Sequence, residues 1–261
     1  MLRTIALPRR LLFFVMSASL PACGGATEAE ETKAPLAIIR AALHTSSATC
    51  VVSTDCDSHV CHIGGCMGLQ DASHPWMEVA IAERLRAVVG SSAELSSLVV
   101  KEATALMSPK PAAEPAVLDD YYPRQRLAGF LGAFGAKEGL PVLRSLAEDR
   151  SESVATRARL ALLRLCDIDA VKQSIGLLDH DALPVRLDAL DALGGCQGDY
   201  VVGLLAAALE DDEPRVVQRA VLGLGKVKPL PVLARRALVQ LQARRGDGFL
   251  AHDVHRALEA P

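Results

Sequence analysis

Seven cysteines carry most of the chemistry in this 261-residue sequence, and four of them, Cys50, Cys56, Cys61 and Cys66, crowd into 17 residues. Thiols at that density either oxidise in pairs or bind a metal as thiolates. His59 and His62 lie inside the block and would add imidazole nitrogens to a metal site. Structural zinc sites usually carry a two-residue gap between paired cysteines, whereas the gaps here are five, four and four residues. The block also has few large apolar side chains, so it needs covalent staples rather than a core of its own. We read it as a disulfide segment over residues 49–69, holding two bonds in one of three possible pairings. Cys166 and Cys196 stand apart, 30 residues from each other near the ends of equivalent helices. A buried free cysteine is a common core filler. Equivalent positions also permit a bond if loops bring the Cα atoms within ~7 Å. The sequence leaves both readings open.

The seventh cysteine follows an address label. Arg3, Arg9 and Arg10 form a positive n-region, and Leu11 to Leu20 form a short apolar run. That run is well short of the ~20 residues a membrane-spanning helix needs. It ends Leu20-Pro21-Ala22-Cys23, which resembles the lipobox of bacterial lipoproteins. The resemblance implies that residues 1–22 are a signal peptide and that Cys23 is acylated through its sulfur as the first mature residue. Gly24 in place of Asp implies the outer membrane, with the chain lipid-anchored in the cell envelope and facing the periplasm. An oxidising compartment agrees with the disulfide reading of the four-cysteine block. Residues 23–48 then read as a tether from the anchor, small and acidic at its start (GGATEAEETKA).

Catalytic signals are thin, and we expect no enzyme, cofactor or metal. The sequence has no G-x-S-x-G elbow and no H-E-x-x-H. A phosphate-binding loop ending at Gly225-Lys226 fails at both decisive positions, which are Ala220 and Val227. His252 and His255 lie three apart beside Asp253, but no third ligand is identifiable for a site that needs three or four.

Charge is the stronger functional lead. Residues 215–245 contain Arg215, Arg219, Lys226, Lys228, Arg235, Arg236, Arg244 and Arg245, with no Asp or Glu. This +8 segment sits in a chain whose formal charge falls to −6 once the three N-terminal arginines are removed. Arg236, Gln240 and Arg244 recur every four residues, one polar row on a helix. Such an end attracts an acidic protein segment or an anionic lipid headgroup. Nucleic acid is excluded by export and by the negative net charge.

The elements that position these arginines repeat. Pro123, Val154, Val185 and Val216 stand 31 residues apart; four residues on come Leu127, Ala158, Ala189 and Ala220, then Leu131, Leu162, Leu193 and Leu224. A fixed period in this range marks units that bury their apolar faces only against their neighbours. Each copy reads as two helices, the first closing on Gly132, Leu163, Gly194 and Gly225, the second starting near Leu140, Val171, Val202 and Leu233. Asp181-Ala-Leu-Pro-Val-Arg186 and Asp212-Glu-Pro-Arg-Val216 place an Asp to cap orphan amides and a Pro where no donor is needed. These segments resemble the start of the first helix in HEAT-like repeats. That family's Arg is met by Arg186, whereas Ala155 and Val217 stand at the equivalent places. The resemblance covers residues 117–258 and implies an all-α fold, an α-solenoid whose second helices line a concave, ligand-facing side.

Two further helices are expected before it, from Pro75 to Gly90 and from Ser92 to Met107, on stripes Trp76, Val79, Ala80, Leu85, Val88 and Leu95, Leu98, Val99, Ala103, Leu106. They read as a capping pair over residues 75–107. A proline-rich linker follows at 108–116, and a closing helix is expected from Phe249 to Leu258.

These features describe a noncatalytic, membrane-anchored scaffold of the cell envelope. It would hold an unidentified protein partner with an acidic segment, contacted by Arg235, Arg236, Arg244 and Arg245. The alternatives are an enzyme or enzyme accessory similar to HEAT-like lyases, or a binder of anionic envelope lipid. For the cysteine block, a thiol titration of the unfolded, unreduced mature protein is expected to find none of its four thiols free. Four free thiols there would end the disulfide reading.

Overall fold

The computed structural model describes residues 75–107, 121–245 and 250–259, with isolated positions at 38–39, 42–43, 61–62, 65–66, 69 and 248. The fold is all-α apart from a two-residue antiparallel pairing of β1 (Cys61–His62) with β2 (Gly65–Cys66). Twelve α-helices follow among the described residues. The first two, α1 (Pro75–Val89) and α2 (Ala93–Met107), precede α3 (Tyr122–Phe134) and α4 (Leu140–Leu146). Next come α5 (Glu152–Arg164), α6 (Ile168–Gln173), α7 (Ile175–Leu178), α8 (Leu183–Leu193) and α9 (Asp199–Ala207). The chain closes with α10 (Pro214–Gly225), α11 (Val232–Arg245) and α12 (Ala251–Glu259). No helix among the described residues is long and apolar enough to cross a membrane.

The 31-residue period is the burial register of alternate helices. Leu127, Ala158, Ala189 and Ala220 are all buried, as are Leu131, Leu162, Leu193 and Leu224 one turn on. Through these rows α1 packs on α3, α3 on α5, α5 on α8, α8 on α10, and α10 on α12. Small residues set the distance of approach. A Cβ added at Gly132 would lie 2.7 Å from the Ala161 Cβ, and one at Gly194 would lie 3.0 Å from the Gly223 Cα. The rung between α5 and α8 differs, because Leu163 occupies the place of the small residue. There the chain is bonded covalently: Cys166 and Cys196 form a disulfide with Cα atoms 5.5 Å apart.

Two hydrophobic clusters result, and α5 serves both. Val154, Ala158, Ala161 and Leu162 belong to the cluster built from α1 to α4, which also takes in Ile39, Ala42, Leu43 and Leu69. Leu160 and Leu163 belong to the second cluster, built from the helices after α5.

Local departures from the sequence reading have local causes. In α1 the buried stripe is Met77, Ile81, Leu85 and Val89, with Val79 exposed, because buried Glu78 needs that face to reach Arg157 on α5. The second helix of the second unit breaks into α6 and α7 at Ser174, whose hydroxyl donates to the Val171 carbonyl at 2.7 Å. Asp181 is not the cap of α8. Ala182 holds that position, and Arg186 folds back to donate to the carbonyls of His180 and Asp181. Glu213 caps α10 by accepting from the Arg215 amide, and Pro184 and Pro214 occupy the first turns as expected.

The fourth unit slips out of register. The segment Lys228-Pro229-Leu230-Pro231 delays α11, whose buried stripe is Ala234, Leu238 and Leu241. Leu233, the periodic equivalent of buried Val171 and Val202, is 55% exposed.

A buried carboxyl and a partly buried arginine tie the ladder's beginning to its middle. Glu78 and Arg157 meet beside Gly129, where any side chain would collide with both. Burial pushes the Glu78 carboxyl up to about 7, against the opposing pull of Arg157. Arg86 of α1 adds a second tie, donating to the Ala133 and Phe134 carbonyls at the end of α3.

Two tests follow in urea unfolding. Leu193→Ala is expected to cost ~2–5 kcal/mol through its cavity, while Leu233→Ala should cost less than about 1 kcal/mol. Equal losses would refute the register slip. For Glu78, a carboxyl whose folded pKa exceeds its unfolded value stabilises fully below pH ~4.5, and that contribution is lost as pH rises through about 7. Relative to Glu78→Gln, the native protein should therefore lose on the order of 3 kcal/mol between pH 4 and 8. A pH-independent difference would put the carboxyl in contact with water.

Candidate functional site

Helix α11 carries the four arginines singled out in the sequence, and its composition explains why. Val232–Arg245 contains no glycine or proline and is rich in Ala, Leu, Gln and Arg, all good helix formers. Only the Ala234–Leu238–Leu241 stripe is buried, against the rest of the last units, so most of the helix circumference faces outward.

The four arginines fare differently there. Arg244 is exposed but paired, its guanidinium gripping both oxygens of Glu210 after α9. That carboxylate pushes the Arg244 pKa further up from its already high value. Arg235 turns toward α12 and donates to the Leu258 carbonyl at 3.3 Å, a cation at a helix C-terminus. Arg236 is exposed and has no partner among the described residues. Arg245 closes the helix. The expected row Arg236, Gln240, Arg244 does lie on one exposed face, but its far end is already occupied by Glu210.

The remaining cations of the +8 segment are spread over other surfaces. Arg219 on α10 makes a two-pronged contact with Asp191 on α8, at 2.9 Å to each oxygen. Lys226 and Lys228 are exposed just after α10, and Arg215 is exposed near its start. Two of the eight cations are thus neutralised by acids from neighbouring units, and the local field is weaker than the sequence count implies. Exposed pairs of this kind add little to stability, typically under about 1 kcal/mol each.

Apolar side chains are what the sequence reading missed here. Val232 is 78% exposed and Val239 50%, and with Leu233 they flank Arg236 on the outward side of α11. The signal that reveals them is the pair of prolines at 229 and 231, which shift the helix start and turn periodic core positions outward. A shallow depression between the second and third units is also apolar, lined by Ile175, Leu178, Leu204, Ala207 and Ala208, with a volume near 390 Å³. Asp179 and Asp211 rim it.

The other residues singled out in the sequence fall as follows. Cys61 and Cys66 are register partners of the β1–β2 pairing. Cys23, Cys50 and Cys56 lie outside the described residues. His255 sits 3.1 Å from Glu259 on its own helix, while Asp253 accepts from Gln218 of α10. No group of three or more His, Cys, Asp or Glu that could hold a metal occurs among the described residues. No protein-family model matches the chain, and comparison with curated proteins finds no match.

Proposed function

We infer that this chain is a noncatalytic binding scaffold, a HEAT-like α-solenoid held at the cell-envelope membrane through acylated Cys23. Its outward α11 face contacts an acidic segment of a protein partner. The observation that carries this reading is the exposed Val232, Leu233 and Val239 flanking Arg236, which has no partner among the described residues. Apolar anchors beside an unneutralised cation are what protein interfaces favour, with Arg enriched among the residues that dominate binding. The ladder of alternate helices and its 31-residue burial register support the solenoid reading. The lipobox resemblance supports the anchor; within the 23–48 segment read as its tether, Ile39, Ala42 and Leu43 are buried in the first cluster. Arg244, taken up by Glu210, contributes to the fold of the last unit rather than to contact.

A second reading has support from the same face. Cations flanked by apolar side chains on one side of a helix also suit the surface of an anionic membrane.

The test is crosslinking in the native envelope followed by affinity capture and mass spectrometry, with the wild type beside Arg235→Glu/Arg236→Glu. A partner whose recovery falls at least tenfold in the variant, and falls with added salt, is the expected result. Equal recovery would make these arginines a solvated face and overturn the site. Sedimentation with phosphatidylglycerol vesicles separates the lipid reading, which predicts binding by purified protein without any partner. Cys23→Ser should move the protein from the membrane fraction to the soluble one, and unchanged membrane association would defeat the anchor.

A further inference from the structure

The Cys166–Cys196 bond combines features that a buried structural staple lacks. Cys166 is exposed at the end of α5, whereas Cys196 is 1% exposed in the turn after α8. The Cys166 backbone is left-handed, at φ 54°, the one positive φ outside glycine among the described residues. Its amide donates to the Leu163 carbonyl at 2.9 Å, and the Asp167 amide to the Leu162 carbonyl at 3.1 Å. That double pattern is the helix-ending motif whose left-handed position is normally filled by glycine. The residue 31 positions earlier is Gly135, which ends α3 at φ 77°. A cysteine thus stands where the fold's own geometry calls for glycine. It stands there at the rung where Leu163 takes the periodic place of Gly132, Gly194 and Gly225, and where the two hydrophobic clusters meet.

The turn that presents Cys166 is held firmly. Asp167 caps α6 by accepting from the Ala170 amide at 3.2 Å and pairs with Arg144 of α4. Burial pushes the Asp167 carboxyl up, but Arg144 and the amides of Ala170 and Asp169 outweigh it and hold it below the usual carboxylate range. Cys166 is therefore an exposed residue on a fixed turn, bonded to a partner that is buried.

We propose that the Cys166–Cys196 disulfide is a thiol-exchange site that takes small thiolates, with Cys166 as the attacked sulfur. The incoming thiolate bonds to the Cys166 Sγ as the Sγ–Sγ bond breaks, and the electron pair leaves on the Cys196 Sγ, which takes up a proton. The product is a mixed disulfide at Cys166 and a buried thiol at Cys196. The Leu163 carbonyl lies 3.3 Å from the Cys196 Sγ and the Ala192 carbonyl 3.6 Å, so the new S–H has acceptors in place. A protonated, hydrogen-bonded thiol is a poor nucleophile, which slows its return to Cys166 and lets the adduct accumulate. A second thiolate attacking the bound thiol's sulfur releases Cys166 as a free thiol and carries off the oxidised small-molecule disulfide. Attack from the other side is blocked, because Cys196 is buried among the second cluster's side chains.

The test is incubation of the native, full-length protein with reduced glutathione, an acid quench, and tryptic mapping with circular dichroism recorded before quenching. Glutathione is expected on the peptide 165–172, at least tenfold above its level on the peptide 187–215, with helicity unchanged. The Cys196 thiol should take up iodoacetamide only after unfolding. Modification of Cys196 in preference to Cys166, or no adduct until denaturant is added, would overturn the proposal. Cys166→Gly/Cys196→Ala serves as the companion variant, since glycine suits the left-handed position. It should keep native helicity and bind no glutathione on either peptide, while an undiminished total uptake would assign the reactive bond to the N-terminal cysteine block.

Discussion

No single helix pair in this protein can bury its own apolar face, and everything else in the structure answers to that shortage. Alternate helices solve it by lying on one another, with alanine or leucine in one row and leucine in the next. The contact is close because glycine or alanine stands at the approach points, as at Gly132 against Ala161 and Gly194 against Gly223. Close approach matters energetically, since dispersion contacts fall off within an ångström of their optimum. Where the small residue is absent, at Leu163, the chain supplies a covalent bond instead. The second helices are freer. One of them breaks at Ser174, and α11 exposes Val232, Leu233 and Val239.

The part of the fold that repeats is the part the sequence makes legible. Burial rows with a constant spacing leave a periodic trace, so Leu127 through Leu224 can be assigned to the core before any coordinates are known. Three features leave no such trace. Glu78 is an acid on the buried face of α1, and only its meeting with Arg157, from a helix 79 residues away, makes that position intelligible. The phase of α1 is misjudged for the same reason, because a polar side chain hides the stripe of Met77, Ile81 and Leu85. The slip of α11 depends on where a helix restarts after two prolines, which patterning does not fix to within a residue.

The candidate site was half legible. Charge pointed to α11, and the structure keeps Arg236 available. It also withdraws Arg244 to Glu210 and turns Arg235 toward the Leu258 carbonyl. Counting cations overstates a surface whenever acids from neighbouring units fold back onto it, as Asp191 does onto Arg219. Spacing alone leaves the Cys166–Cys196 bond undecided. The fold decides it by bringing the two Cα atoms to 5.5 Å, through a left-handed turn at Cys166 whose counterpart one period earlier is Gly135.

The division of the core at α5 carries a consequence for how the molecule comes apart. Because α5 lends Ala158 and Leu162 to one cluster and Leu160 and Leu163 to the other, it is a shared wall between two compartments. Fraying that begins at α12 consumes the second compartment one rung at a time and then meets a helix still clamped from its other side. The protein thereby has a built-in firebreak. On this division, the amides of α1 to α5 are expected to exchange with water more slowly than those of α10 to α12.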